Sequence, residues 1–202
     1  MLCAGLLVCF NGGKQMEYYI NVPADKKALS ALRAGDTVYL SGTVLTARDQ
    51  AHKKMIETLS AGEKLPFEIE GSAIYYVGPT PEKPGAASGS AGPTTSGRMD
   101  EFSPALLDLG NAVMIGKGIR NHKVKEAIVK NGAVYLAAPG GAGALMAKSI
   151  VSSEIIAWPE LGCEAVRKLE VKNMPLTVAI DSLGGDIYEL GPKRYLETIK
   201  AQ

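Results

Sequence analysis

Two threonine hydroxyls, one guanidinium and one carboxylate fall within the short stretch Gly92-Pro93-Thr94-Thr95-Ser96-Gly97-Arg98-Met99-Asp100. Paired threonine hydroxyls beside an arginine fork suit a carboxylate or a phosphate, because the guanidinium can donate to two oxygens at once. A run of small residues, Gly85-Ala86-Ala87-Ser88-Gly89-Ser90-Ala91, leads into it. Such a run packs no core, so the sequence predicts a loop placed for something other than stability. A flexible connector ending in an ordinary helix cap would satisfy the same residues, and local chemistry does not separate the two.

Two further motifs offer partners for an anion. Thr46-Ala47-Arg48-Asp49-Gln50-Ala51-His52 follows a buried strand, a favoured place for working residues in α/β folds. Arg48 and His52 are four residues apart, which predicts one shared helix face. The plain alternative is a solvated first turn with Asp49 facing the helix dipole. Gly116-Lys117-Gly118 sets a lysine between two residues without side chains, so a ligand could approach its ammonium closely. A simple turn with a surface lysine fits equally, and a Walker loop does not, since its spacing is absent. Pro139-Gly140-Gly141-Ala142-Gly143-Ala144-Leu145 lacks dinucleotide-loop spacing and reads as a strand-to-helix turn whose helix start could hold an anion.

The elements that must position these groups follow from periodicity. Residues 17–22, 37–45, 72–77, 113–115, 134–137, 155–158 and 176–181 read as strands. Helices are expected from an Asp25 cap to Leu32, to about Ser60 with Met55, Ile56 and Leu59 inward, and over 121–130 before Gly132. Another is expected from Ser103 as N-cap with Pro104 at N1, burying Leu106, Leu107 and Leu109. A last helix is predicted to start at Pro192, with Tyr195, Leu196 and Ile199 as its inner face. The alternation of strand and helix predicts an α/β or mixed β/β/α architecture. The loop over 79–92 is the one candidate boundary and reads as an excursion within a single domain over 17–202.

The chain of 202 residues carries a net charge of +1, which speaks against nucleic acid or a membrane surface as partner. Cys3, Cys9 and Cys163 are odd in number and lack CxxC spacing. That argues against a disulfide framework and a self-contained metal site, and for a reducing, cytoplasmic location. Residues 1–10 are mostly apolar, yet too few to span a bilayer and without a preceding basic segment. Residues 1–16 are therefore set apart as an N-terminal extension, packed or disordered, with Met16 as an alternative start.

Gly78-Pro79-Thr80-Pro81, Ala87-Ser88-Gly89-Ser90 and the stretch from Gly92 to Asp100 resemble the class I, iron–sulfur fumarate hydratases. The match is to their C-terminal domain, a separate β chain in two-subunit versions. The Arg48–His52 and Gly-Lys-Gly motifs and Trp158-Pro159-Glu160-Leu161-Gly162 resemble the same family in the same order. The β chain of L-tartrate dehydratase is similar too, although Gly97, Asp100 and the Ala-Ser-Gly-Ser lead-in look more like the fumarases.

The resemblance implies a swivelling β/β/α domain with a mixed central sheet that closes over a site shared with an α subunit. That subunit would carry a [4Fe–4S] cluster whose open iron acts as a Lewis acid; no metal site is expected on this chain alone. The implied reaction is reversible hydration of fumarate to L-malate by a hetero-oligomer. By motif, Arg48, Thr95, Arg98 and Lys117 would bind substrate, and His52 and Thr94 are the candidates for proton transfer. Chemistry alone favours His52, since histidine titrates near neutrality and a threonine hydroxyl is a poor base. Dehydration of tartrate to oxaloacetate, or a non-catalytic module of the same fold, are the alternatives.

Overall fold

The computed structural model describes residues 16–200. Residues 1–15 of the predicted extension, with Cys3 and Cys9, lie outside the described residues. Strand β1 (Glu17–Val22) leads through a short helix α1 (Lys26–Ser30) to β2 (Thr37–Thr46). The Asp25 carboxylate caps α1 by accepting from the Ala28 N–H at 2.7 Å. Helix α2 (Asp49–Ser60) and strand β3 (Ala73–Tyr75) follow. Then come α3 (Ser103–Asp108), β4 (Val113–Gly116), α4 (His122–Asn131) and β5 (Val134–Ala137). The chain ends in α5 (Gly143–Lys148), β6 (Ile150–Ala157), β7 (Val166–Ile180) and α6 (Ile187–Lys200).

One mixed sheet joins the strands in the order β1-β2-β3-β4-β5-β7-β6. β1 to β5 run parallel, and β7 is antiparallel to β2, β5 and β6. The extra β2–β7 pairing closes β2, β3, β4, β5 and β7 into a barrel-like ring, which leaves those strands no open edge. Side chains alternate between two cores, as a strand of period two requires. Ala73, Tyr75, Val113, Ile115, Val134 and Leu136 face one; Ile74, Met114 and Tyr135 face the other, with Met55, Leu106, Leu107 and Ile128 from the helices. Burial on both faces is why these strands read as unbroken apolar runs.

Several expectations need correction. β7 starts ten residues before Leu176, because Lys168, Glu170 and Lys172 alternate with buried Leu169 and Val171 instead of forming an apolar run. Ser103 is not a cap: Phe102 holds that position, and the Ser103 hydroxyl donates back to the Met99 carbonyl at 2.8 Å. Leu109 sits at the end of α3 and is 42% exposed. α6 begins at Ile187, where the Asp186 carboxylate accepts from the Tyr188 N–H at 2.9 Å, so Pro192 lies inside the helix. Ile187 and Tyr188 pack against the core, and Tyr195, Leu196 and Ile199 are exposed.

Candidate active site

The register of the parallel strands decides what can meet. Thr46, Tyr75, Ile115 and Leu136 form one row across β2, β3, β4 and β5. Arg48, Val77-Gly78, Lys117 and Ala138-Pro139 each follow within two or three residues, so they emerge together at the carboxyl edge of the sheet. The turn over residues 94–100 is tied to that edge by its backbone. Thr94 N–H donates to the Tyr76 carbonyl at 2.7 Å, Ser96 N–H to the Lys117 carbonyl at 2.8 Å, and Lys117 N–H to the Thr94 carbonyl at 3.3 Å. The two threonines therefore lie alongside Lys117. Thr94 and Lys117 are half-buried and Thr95 is exposed.

The loop before this turn is anchored, contrary to its composition. Tyr75 OH donates to the Ala91 carbonyl at 2.5 Å, and Ala91 is fully buried. Thr80 and Ser90 close the excursion: Thr80 N–H donates to the Ser90 carbonyl at 3.0 Å, and Ser90 N–H to Thr80 Oγ1 at 2.8 Å. A Cβ on Gly89 would fall 2.3 Å from the Thr80 carbonyl oxygen, so the close approach requires glycine.

Arg48 occupies the N-cap of α2 with extended backbone, φ −120° and ψ −159°, so it shares no helix face with His52. Its side chain passes Gly78, where a Cβ would lie 2.9 Å from Nη1. Its Nη2 is 3.6 Å from Glu164 Oε1, and its Nε is 3.9 Å from Asp49 Oδ2. The other oxygen of Asp49 accepts from Arg98 Nε at 2.7 Å. One carboxylate thus sets the two guanidinium groups side by side. Arg48 Nε and Asp49 Oδ2 are buried atoms with no hydrogen-bond partner among the described residues.

His52 is placed behind this edge. It is fully buried, edge-on to Tyr76 with ring centroids 5.2 Å apart and tilted against Phe102 at 6.1 Å. Burial pushes its pKa down to about 4, with the hydrogen bond to the Arg48 carbonyl opposing and the charge of Arg120 adding. The imidazole is therefore neutral at pH 7 and does not reach the surface where Arg48, Thr94, Thr95, Arg98 and Lys117 converge. The preference for His52 on grounds of its titration range fails because that range belongs to a solvated ring.

Sequence reasoning did not single out Glu164 or Arg120. Glu164 ends a 3-10 turn at Pro159–Glu164 and accepts from the Gln50 N–H at 2.8 Å while pairing with Arg48. Its local signal was the Trp158–Gly162 motif two residues earlier. Arg120 follows Gly118 by two residues, and nothing in its spacing announces a buried guanidinium.

Fold and site define an α/β protein that sets Arg48, Arg98 and Lys117 with two threonines at one edge of a ring-closed mixed sheet. The family model described as fumarase C-terminus matches residues 11–191, and the chain belongs to that family. It is 43% identical to the protein named "Putative L(+)-tartrate dehydratase subunit beta" of Methanocaldococcus jannaschii, over 91% of this chain and 97% of that one. It is 32% identical to L(+)-tartrate dehydratase subunit beta of Escherichia coli, over 90% and 92%. Fumarate hydratase class I, aerobic, of Escherichia coli is 41% identical over 80% of this chain, which spans only 30% of that enzyme.

Proposed function

We propose that this chain is the β subunit of a two-subunit hydro-lyase for a four-carbon dicarboxylate, adding water reversibly to fumarate to give L-malate. The observation that carries the reading is that strand register and backbone bonds bring Arg48, Arg98 and Lys117 to one sheet edge with Thr94 and Thr95. Three cations against the carboxylates of Asp49 and Glu164 leave an excess of one positive charge, which favours an anionic ligand. Among the described residues the Nη atoms of Arg98 have no hydrogen-bond partner, so its fork is open to a substrate carboxylate.

In this reading Arg98 and Thr95 hold one carboxylate, and Arg48 and Lys117 the other. Removing a proton beside a carboxylate builds negative charge there, and fixed cationic donors lower that barrier. Each charged hydrogen bond contributes roughly 1.5–3 kcal/mol. The Thr94 hydroxyl, next to Lys117, is this chain's candidate to pass the proton. Among the described residues no side chain hydrogen-bonds it, so a base from the partner chain would activate it.

The iron–sulfur cluster implied by the resemblance does not fit these residues. Arg48, Arg98 and Lys117 offer protons rather than electron pairs, and Thr94 and Thr95 offer only neutral hydroxyls. Cys163 is a single exposed thiol. The reading therefore gives the cluster, and the Lewis-acidic iron it supplies, to an α subunit. It treats residues 17–202 as one swivelling domain that closes on that partner, supported by the single sheet running from residue 17 to 180. No described helix is long and apolar enough to cross a membrane; a cytoplasmic site of action is part of the proposal.

Tartrate dehydration is the second reading, favoured by the two beta subunits named for tartrate that match this chain along nearly their whole length. The test is co-expression with an iron–sulfur α chain. The isolated chain should be inactive and the complex should show oxygen-sensitive hydration of fumarate. Activity from this chain alone would overturn the shared site. A tartrate preference in a substrate panel would decide for the second reading, because a site built around the extra hydroxyl rejects the substrate lacking it.

A further inference from the structure

We propose that Arg120 is a positioning residue that locks the turn over residues 94–100 and the Lys117 turn into one geometry; this rests on the reading that both turns hold substrate. The Arg120 side chain is completely buried. Its Nε donates to Asp100 Oδ1 at 2.6 Å and its Nη2 to Ser103 Oγ at 2.7 Å, while Nη1 lies 3.4 Å from Met114 Sδ. The second oxygen of Asp100 accepts from the Asn121 N–H at 2.7 Å. Asp100 thus closes a clasp: it ends the Thr-Thr-Ser-Gly-Arg stretch and grips both the side chain and the following amide of the segment that begins at Lys117.

The clasp continues through two aromatic rings. The guanidinium sits 5.4 Å from the Tyr76 ring centroid and 5.1 Å from that of Tyr135. Tyr135 OH is 2.9 Å from both Ser96 Oγ and the Gly118 carbonyl oxygen. A carbonyl can only accept, so the tyrosine donates to Gly118 and receives the Ser96 proton. Ser96 in turn packs so closely on β4 that a Cβ at Gly116 would stand 2.0 Å from its Oγ. Beside the direct backbone bonds of Thr94 and Ser96 with Lys117, Arg120 and the two rings that it touches form a second connection between the threonine turn and the lysine turn.

A buried ion pair is a weak source of net stability, since desolvating two charges offsets their attraction and apolar groups of like shape pack as well. What the pair supplies here is direction. Its hydrogen bonds fix the rotation of both turns, on which the relative placement of Thr94, Arg98 and Lys117 depends.

Two variants test this: Arg120→Lys, and the double change Asp100→Asn/Arg120→Met, which removes the pair without stranding a charge. Melting temperature and amide hydrogen exchange are read on the full chain, and kcat/KM on the complex with its α partner. The double variant should melt as the original does. Exchange at the Ser96, Lys117 and Asn121 amides should quicken about tenfold or more while the β2–β7 ladder keeps its protection. In the complex kcat/KM should fall about 10- to 100-fold, with Arg120→Lys between. Unchanged exchange at those amides overturns the proposal. So does unfolding of the double variant, which would make Arg120 a core residue and nothing more. Faster local exchange in a protein that proves inactive on every dicarboxylate would leave the clasp standing and remove the hydro-lyase reading instead.

Discussion

His52 Nδ1 donates to the carbonyl oxygen of Arg48 at 2.9 Å, the same oxygen that accepts the His52 backbone N–H at 2.8 Å. Because a carbonyl cannot donate, the ring carries its proton on Nδ1, and Nε2 is a bare acceptor with no partner among the described residues. The pair of bonds fixes the backbone of Arg48 just where its side chain leaves the helix for the site.

This histidine makes the fold acid-sensitive. Its folded pKa of about 4 lies below the ordinary value of 6.5, so the unfolded chain takes up a proton first. Its contribution to stability is complete above pH 6.5 and is lost as pH falls from there through 4. By linkage the loss approaches about 3 kcal/mol. Urea unfolding at pH 7 and pH 4.5 should show it. His52→Asn, which keeps a donor to Arg48 without the titration, should flatten the dependence between those values. An unaltered pH slope in that variant would place the acid sensitivity elsewhere.

How far the sequence speaks is visible in these same residues. Arg48, Thr94, Thr95, Arg98 and Lys117 stand out because glycines, a proline and strand ends flank them, and strand register then brings them to one edge. The strands β3 to β5 were legible because burial on both faces makes them apolar, and β1 because buried Ile20 and Val22 alternate with more exposed neighbours. β7 was half hidden because its charged residues face outward between buried ones. His52 and Arg120 were misjudged or missed for one reason: whether a titratable side chain points to solvent or into a core depends on tertiary packing, which local spacing does not encode. α6 shows the converse, an amphipathic stripe whose expected inner residues are exposed.

Gly78 should tolerate no side chain if Arg48 is to keep its place. An alanine Cβ would meet Arg48 Nη1 at 2.9 Å and the Cys163 carbonyl oxygen at 2.9 Å. The guanidinium tip is the softer of the two, so the expected outcome for Gly78→Ala is a folded protein with Arg48 displaced. Activity of the complex should fall about 100-fold, as for an angstrom-scale misplacement of a binding group. Circular dichroism with kinetics checks it; wild-type kcat/KM would show that Arg48 does not need this path.

Thr46 ties the end of β2 to the start of β7, which sets Arg48 opposite Glu164. Its buried hydroxyl donates to the Ala165 carbonyl at 3.3 Å and accepts from the Arg167 N–H at 2.9 Å. Thr46→Val keeps the shape and strands that amide. The expected cost is about 1–3 kcal/mol by denaturant titration, the penalty of an unsatisfied buried donor. A change below about 0.5 kcal/mol would mean that water or backbone shift replaces the hydroxyl.

Asp49→Asn separates orientation from competition. The carboxylate of Asp49 could act as a rival to a substrate carboxylate, in which case neutralising it would tighten binding. The geometry argues against rivalry: Asp49 Oδ1 takes the Nε of Arg98 at 2.7 Å and leaves both Nη atoms without partners among the described residues. A substrate would use the Nη fork, so Asp49 orients the guanidinium without occupying its binding edge. Arg98 is 53% exposed, so the ion pair adds little to stability and the melting temperature should hardly move. Activity in the complex should drop about tenfold, because a solvent-facing arginine released from its partner samples many rotamers. The double variant Asp49→Asn/Arg98→Ala should lose less than the product of the two single losses, with Arg98→Ala itself expected to lose about ten- to a hundredfold in kcat/KM and the remainder coming from the 3.9 Å contact of Asp49 with Arg48. Tighter substrate binding by Asp49→Asn would instead make its carboxylate a competitor that the substrate must displace.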